Sequence, residues 1–387
     1  MATQRNASNP AFSPRGWALL ALGAAQALIA APAAAQAVVP IGDTRHGAHV
    51  VLLGTAAGRT AWRGTELAGI SSALVVQGNV YLVDFGQGWE RRFYQAGLAA
   101  KGRGMAGLES IRAAFVTHMH ADHVVDFPVL MLFGASDGLA SRAQPLSVFG
   151  PGPRGSQVPV VGRPEDQVPV VAPDAPTPGM VGMVQGLARA FATDINDNIR
   201  DSQKPDPLSK LRVTEIRVPE GVVTDPNRDP APRMEPFAVY QDEHVKVSAI
   251  LVDHAPVYPA FAYRFDTAAG SVTFSGDTNA HPNLIRLATG SDVLVQEVID
   301  PDWVAERFPK PMTPDQAAKA RHLIEAHTDV NDVGPLARAA RVKSVVLSHL
   351  GPADPSPERW ARARKGYDGP VTVGRDLMWI GVGQARP

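Results

Sequence analysis

The sequence contains no cysteine. Disulfides are therefore excluded, and so is any thiolate metal ligand; a bound metal would have to be held by His, Asp or Glu. There is no excess of charge of either sign. Lys and Arg number 37 against 38 Asp and Glu, the formal net charge is -1, and the pI is about 6.8. That is not the basic footprint of a nucleic-acid-binding domain. No Gly-x-Ser-x-Gly string points to a nucleophilic serine, and no fixed-period repeat points to a solenoid. What remains is ordinary: 387 residues, 45% hydrophobic and 19% charged. This is enough for one large domain or two smaller ones with a substantial core.

The one long apolar run lies near the N-terminus. Arg5 and Arg15 precede residues 17–31 (WALLALGAAQALIAA), and Ala33-Ala34-Ala35-Gln36-Ala37 follows. Positive start, short apolar run and small residues in that order predict a secretory signal peptide over 1–37, cut after Ala37. The run is short for a membrane span of about 20 residues, so an uncleaved anchor is the lesser alternative. Without an Arg-Arg pair, general secretion is expected rather than the twin-arginine route. The mature domain, 38–387, is then periplasmic or secreted, with no membrane insertion after cleavage.

Short Val- and Leu-rich runs predict strands at 49–54, 72–77, 80–85, 111–117, 211–218, 237–241, 244–252, 260–265, 271–275, 292–298, 343–348 and 376–382. Helical spacing marks 89–98, 181–191, 282–288, 314–326, 330–340 and 357–365, and Asp126 with Pro128 looks like a further helix start. Strands dominate the first half and strand–helix alternation the end, which predicts a layered α/β domain. The stretch around 134–241 reads as an insertion. Within it, 151–178 is proline-rich and irregular, and 151–200 is expected to act as a lid or a homodimer arm.

The chemistry is concentrated in Thr117-His118-Met119-His120-Ala121-Asp122-His123. Leaving a strand in extended form, His118 and His120 point the same way and can reach one metal. Asp122 and His123 follow as the chain bends and can address a second. Three more candidates sit at or beyond strand ends: His254, Asp277 and His349. The count is then consistent: His118, His120 and His254 on one ion, Asp122, His123 and His349 on the other, with Asp277 bridging. Imidazole and carboxylate ligands suit two Zn2+, with Mn2+ or Fe2+ as alternatives. Two such ions activate a shared water for attack on an ester and stabilise the developing oxyanion.

These motifs resemble the metallo-β-lactamase superfamily over most of the mature chain. The resemblance implies an αββα sandwich with metals at one edge of the sheets. It also implies that Asp84, in Tyr81-Leu82-Val83-Asp84-Phe85-Gly86, supports the metal loop rather than binding metal. Gly54-Thr55, Asp253-His254-Ala255-Pro256, Ala262-Tyr263-Arg264-Phe265, Phe274-Ser275-Gly276-Asp277-Thr278 and Leu347-Ser348-His349 look like the arylsulfatase-like branch, close to tRNase Z. Two departures stand out. The long arm with which tRNase Z grips tRNA has no room in residues 266–274. Related enzymes also have His-Glu where this chain has Gln296-Glu297, and Gln296 cannot donate a proton. His281, His327 and Tyr258 are candidates to replace that donor, and His327 resembles another histidine of the family near the site.

Catalytic roles are expected at Asp122, Glu297 and His327. Loss of the acid at 296 favours a good leaving group such as a phenolate, whose conjugate acid has a pKa of about 10. The leading expectation is an exported two-metal hydrolase of small aryl sulfates or phosphodiesters. The alternatives are a lactonase or β-lactamase acting on a carbonyl, a tRNase Z-like phosphodiesterase, and a non-catalytic metal-binding protein. Nucleic acid is not an expected partner. Trp62 is a candidate for the mouth of the site.

Overall fold

The computed structural model describes residues 46–59, 61–99 and 107–384; the expected signal peptide lies outside them. Strand β1 (Ala48–Gly54) is buried along its whole length, and its alternate side chains serve two cores. Ala48, Val50 and Leu52 join one apolar cluster and Val51 and Leu53 another. A strand apolar at both parities is what a sheet covered on both faces requires.

The first half of the chain continues with β2 (Ser71–Val76), β3 (Asn79–Val83), β4 (Ile111–Phe115), β5 (Leu146–Pro151) and β6 (Leu211–Ile216). The second half supplies β7 (Phe237–Gln241), β8 (Val245–Leu251), β9 (Phe261–Thr267), β10 (Ser271–Phe274), β11 (Val293–Ile299), β12 (Val345–Gly351) and β13 (Val371–Val373). Strand β14 (Trp379–Val382) returns to the first sheet, whose order is β14-β1-β2-β3-β4-β5-β6; the second runs β13-β12-β11-β10-β9-β8-β7. Each sheet has an antiparallel half and a parallel half, the change falling at β3 in the first and β10 in the second.

The sheets face one another through aromatic contacts. Phe115 of β4 meets Tyr263 and Phe265 of β9 with ring centroids 5.5 and 5.2 Å apart. Helices α1 (Trp89–Gln95), α2 (Ala121–Val124), α3 (Phe127–Phe133), α4 (Met180–Ala190) and α5 (Ala192–Arg200) belong to the first half. Trp89, Phe93, Phe127, Leu130 and Met180 of this group join Val51 and Leu53 on the outer face of the first sheet. From the second half come α6 (Pro282–Ala288), α7 (Pro301–Arg307), α8 (Pro314–Glu325) and α9 (Val333–Ala340). Leu284 and Leu287 of α6 and Leu336 and Ala340 of α9 are buried against the second sheet. The result is the expected αββα sandwich.

The details differ from expectation in several places. Strands β5, β6 and β7 fall inside 134–241, so much of that stretch belongs to the two sheets, and only its middle departs from them. The helix expected over 357–365 is one 3-10 turn, Ala361–Arg364. Helix α7 was not expected at all; at seven residues it is too short to show a periodic pattern. Among the described residues no helix is long and apolar enough to cross a membrane.

Candidate metal centre

Segments at or beyond strand ends deliver most of the candidate ligands. After β4 the chain stays extended through His120 (φ -65, ψ 147) and then turns into α2, which carries Asp122 and His123. The change from extended to helical backbone is what separates the two pairs of side chains. His254 follows β8, and Asp277 follows β10 on a turn at Gly276 (φ +58). A Cβ at Gly276 would lie 2.5 Å from the Phe261 carbonyl oxygen, so only glycine fits. His349 arrives differently. Across β11 and β12 Glu297 pairs with Ser348 but Val298 pairs with Leu350. His349 is the extra residue of a β-bulge, at φ 46, and the bulge aims its ring at the site.

Two groups of potential ligand atoms, each within 4.8 Å, share Asp277: His118, His120, His254 and Asp277, and Asp122, His123, His349 and Asp277; His254 with His322 and His327, and Glu297 with His327 and His349, lie equally close. In the first, His254 Nε2 is 3.1 Å from His120 Nδ1, and Asp277 Oδ2 is 3.8 Å from both His118 Nε2 and His254 Nε2. In the second, Asp277 Oδ2 is 3.3 Å from His123 Nε2 and from His349 Nε2, and Asp122 Oδ2 is 3.1 Å from His349 Nε2. Metal–ligand bonds of about 2.0–2.2 Å in tetrahedral geometry put ligand atoms roughly 3.4 Å apart. The spacing here brackets that value, and Asp277 Oδ2 is common to both groups.

The hydrogen bonding asks for cations. His118 Nε2, His123 Nε2 and Asp277 Oδ1 are buried with no hydrogen-bond partner, although buried polar atoms are nearly always satisfied. Burial pushes His118 and His254 well below the usual imidazole range and His120 down to about 4. All three are therefore neutral at pH 7, the form that ligates. Burial would lower His123 too, but Asp277, Asp122 and Asp84 outweigh it and raise it well above the ordinary value. Burial would raise Asp277; His349, His123 and His118 overcome it and hold the carboxyl well below its usual range. The residues present thus fit a divalent metal site.

An outer layer of hydrogen bonds orients the ligands. Asp84, at φ 63, accepts from Thr117 N at 2.7 Å and from His123 Nδ1 at 2.9 Å. It does not reach the metal cluster itself, in keeping with the supporting role the resemblance implies. His254 Nδ1 donates to the Ala326 carbonyl at 2.8 Å, which leaves Nε2 as the free lone pair. Gly58 N donates to Asp122 Oδ2 at 2.9 Å. Replacing Asp84 with Asn is expected to weaken metal affinity about 10–100-fold while the fold persists. A competition titration against a chromogenic chelator measures this; unchanged affinity would remove Asp84 from the site.

Glu297 ties two loops together. Its Oε1 accepts from Thr278 N at 3.0 Å and Thr328 N at 2.9 Å, and its Oε2 lies 3.3 Å from His327 Nδ1. Burial alone would lower His327, but the Glu297 carboxylate outweighs it and the ring is pushed up to about 9. His327 is therefore protonated at neutral pH, with Nε2 free, and it lines the cavity above the ligand cluster.

Gln296 requires a correction. Neighbouring strand residues point to opposite faces, and with Glu297 turned to the site Gln296 is buried on the other face. It donates to Thr328 Oγ1 at 3.0 Å and does not line the cavity. Its identity therefore says nothing direct about the leaving group. The other proposed replacements are also elsewhere: His281 caps α6, and Tyr258 does not line the cavity. Trp62 does line it, with Nε1 donating to the Ala57 carbonyl at 2.9 Å.

The cavity, about 600 Å³, is lined by Ala57, Gly58, Arg59 and Trp62, by residues between Val298 and Leu323 and by candidate ligands of the cluster, and none of its lining comes from 151–200. The lid expected there does not border the site. The lining residues that sequence reasoning missed include Trp303, Arg307, Phe308, Lys319, His322 and Leu323. The signal available for the first three was Asp300-Pro301, a capping residue followed by proline, with Trp303 and Arg307 four apart.

No protein-family profile matches the chain. In sequence it is similar to ribonuclease Z of Mycobacterium sp. (strain KMS), 29% identical over 318 residues covering 81% of this chain and 90% of that one. It is likewise similar to ribonuclease Z of Mycobacterium marinum, 27% identical over 323 residues covering 82% and 93%. In structure it is similar to the metallo-β-lactamase fold protein YhfI from Bacillus subtilis, with TM-score 0.50, 13% identity, and 86% and 98% of the two chains covered. The short form of human tRNase Z gives TM-score 0.51, 17% identity, and 87% and 100%. The arrangement of two facing sheets with candidate ligands gathered at one edge is the metallo-β-lactamase fold, and in sequence the chain is similar to ribonucleases Z.

Proposed function

We propose that the chain is a two-metal phosphodiesterase, with zinc favoured by the imidazole and carboxylate ligands. The observation that carries this is Asp277 Oδ2, shared by two groups of buried ligand atoms. His118, His120 and His254 would hold one ion, Asp122, His123 and His349 the other, and Asp277 both. Ions held there supply Lewis-acid charge and a water of lowered pKa.

The chain's own residues do the rest. Water adds to phosphorus, the P–O bond to the leaving group breaks, and the proton that the water loses passes to solvent. The departing oxygen takes the proton of His327 Nε2, while Glu297 holds the ring through Nδ1 and keeps it charged. The products are an alcohol and a phosphomonoester. The aryl sulfate first expected is less well supported than the phosphodiester. The relatives are ribonucleases Z, and the argument for a special leaving group ended with Gln296.

A second reading, cleavage of tRNA precursors, follows from the same relatives. Against it stands the hairpin between β9 and β10, where only residues 268–270 join the strands and the long arm has no place. A small diester is therefore the favoured substrate.

The test is a panel on zinc-loaded protein: bis(p-nitrophenyl) phosphate, p-nitrophenyl sulfate, a lactone, a cephalosporin and a tRNA precursor with a 3′ trailer. The diester is expected to turn over best, with about two metal equivalents bound. Turnover of the sulfate or of carbonyl substrates without the diester overturns the proposal. Efficient precursor cleavage promotes the second reading.

A further inference from the structure

One wall of the cavity takes no part in the chemistry above. Its lining includes the polar residues His120, Asp122, Asp277, His349 and His327. Another part of the lining is aromatic. Trp62 and Trp303 lie with ring centroids 5.6 Å apart at 51°, both half-buried, and Phe308 and Leu323 complete the surface.

This wall is built separately from the main cores. Ile299, Val304 and Phe308 form a small apolar cluster with Trp303 and Leu323 packed against it. Val304 is the buried side of α7, so Trp303 is left to the cavity. An apolar wall beside a cluster of His and Asp is characteristic of a site that must bind the rest of a small ligand while polar groups fix its reacting end.

Cations surround the aromatic surface. The Arg59 guanidinium is 5.6 Å from the Trp62 ring. That of Arg307 is 5.7 Å from Trp303 and 5.4 Å from Phe308. Lys319 also lines the cavity. All three side chains are exposed, and none is ion-paired with a carboxylate among the described residues. Cations left unpaired around a flat apolar slot suit a ligand with a negative charge at its outer end.

Resting on the phosphodiesterase reading, we infer that the Trp62–Trp303 slot binds a flat aromatic group attached to the phosphoryl centre. The favoured substrates are aryl phosphodiesters whose ring carries a second anionic substituent, reached by Arg59, Arg307 and Lys319.

Non-hydrolysable phosphonates with a single organic group isolate the slot. Binding of methylphosphonate, phenylphosphonate and 4-carboxyphenylphosphonate to zinc-loaded protein is measured by calorimetry. Phenylphosphonate is expected to bind about tenfold more tightly than methylphosphonate. The carboxylate is expected to add about threefold, as for an exposed ion pair. Trp303→Ala removes the phenyl preference and Arg307→Gln the carboxylate preference, both leaving methylphosphonate affinity unchanged. Trp62→Ala, on a loop outside α7, repeats the first result if Trp303→Ala unfolds that helix. Equal binding of the methyl and phenyl compounds by the wild type overturns the slot while the phosphodiesterase reading stands. Failure of methylphosphonate to bind, with no diester turnover, removes both.

Discussion

Replacing Asp277 with alanine is expected to lower phosphodiester turnover by at least about 10³-fold and to strip metal from the protein without unfolding it. The reason is the position of one carboxylate. Asp277 Oδ2 lies within 3.3–3.8 Å of four histidine nitrogens, those of His118, His123, His254 and His349. It is the atom common to both ligand groups, so its loss affects both ions, whereas loss of His118 or His349 affects one. Nor does the turn depend on the side chain. Thr278 N is held by Glu297, and Ser275 N by the Val295 carbonyl. Metal analysis of wild type and variant, with circular dichroism as the control for folding, checks the outcome. Full metal occupancy in the variant would remove the shared-carboxylate assignment.

His327→Ala is expected to lower turnover by about 10²–10⁴-fold for diesters with an alkoxide leaving group. For p-nitrophenolate, which leaves without a proton, the loss should be tenfold or less, roughly the cost of a lost contact. The contrast separates proton donation from a general disturbance, which would slow both substrates alike. Metal content should not change, because His327 Nδ1 lies nearer to Glu297 Oε2, at 3.3 Å, than to Asp277 Oδ2, at 3.9 Å. His322→Ala is the control. His322 also lines the cavity, 6.0 Å from His327 ring to ring, but no carboxylate orients it as Glu297 orients His327. If His322→Ala reproduced the leaving-group dependence and His327→Ala did not, the donor would be His322.

The ligand cluster was legible because its signals are local. His118 to His123 declare themselves by spacing, and His254 and Asp277 each follow a recognisable strand. His349 was assigned for a less secure reason, as the residue after a strand over 343–348. The strand in fact runs to Gly351, and a regular strand would have turned the ring by its parity alone. The bulge decides the direction, and a bulge depends on the partner strand. The error at Gln296 has the same origin. Which of two consecutive strand residues faces the site follows from the register of β11 between β10 and β12, and once Glu297 faces inward Gln296 cannot. The cavity wall was missed because α7 is short and its apolar side is small. The lid was misplaced because a proline-rich stretch is conspicuous in sequence wherever it lies in space.

The sequence by itself determined the layered fold, through the parity and length of its apolar runs, and singled out the candidate ligand side chains, through spacing close along the chain. The fit to a divalent metal follows from those residue types, and the missing cysteine excludes thiolate ligands. Only the tertiary structure brought one carboxylate, Asp277, among both groups of candidate ligand atoms, set His327 rather than Gln296 in the cavity lining, and brought Trp62 and Trp303, more than two hundred residues apart, to within 5.6 Å of one another ring to ring. Each of these depends on distances between side chains carried by different strands and helices, which sheet register and packing set and which no pattern confined to one segment can contain.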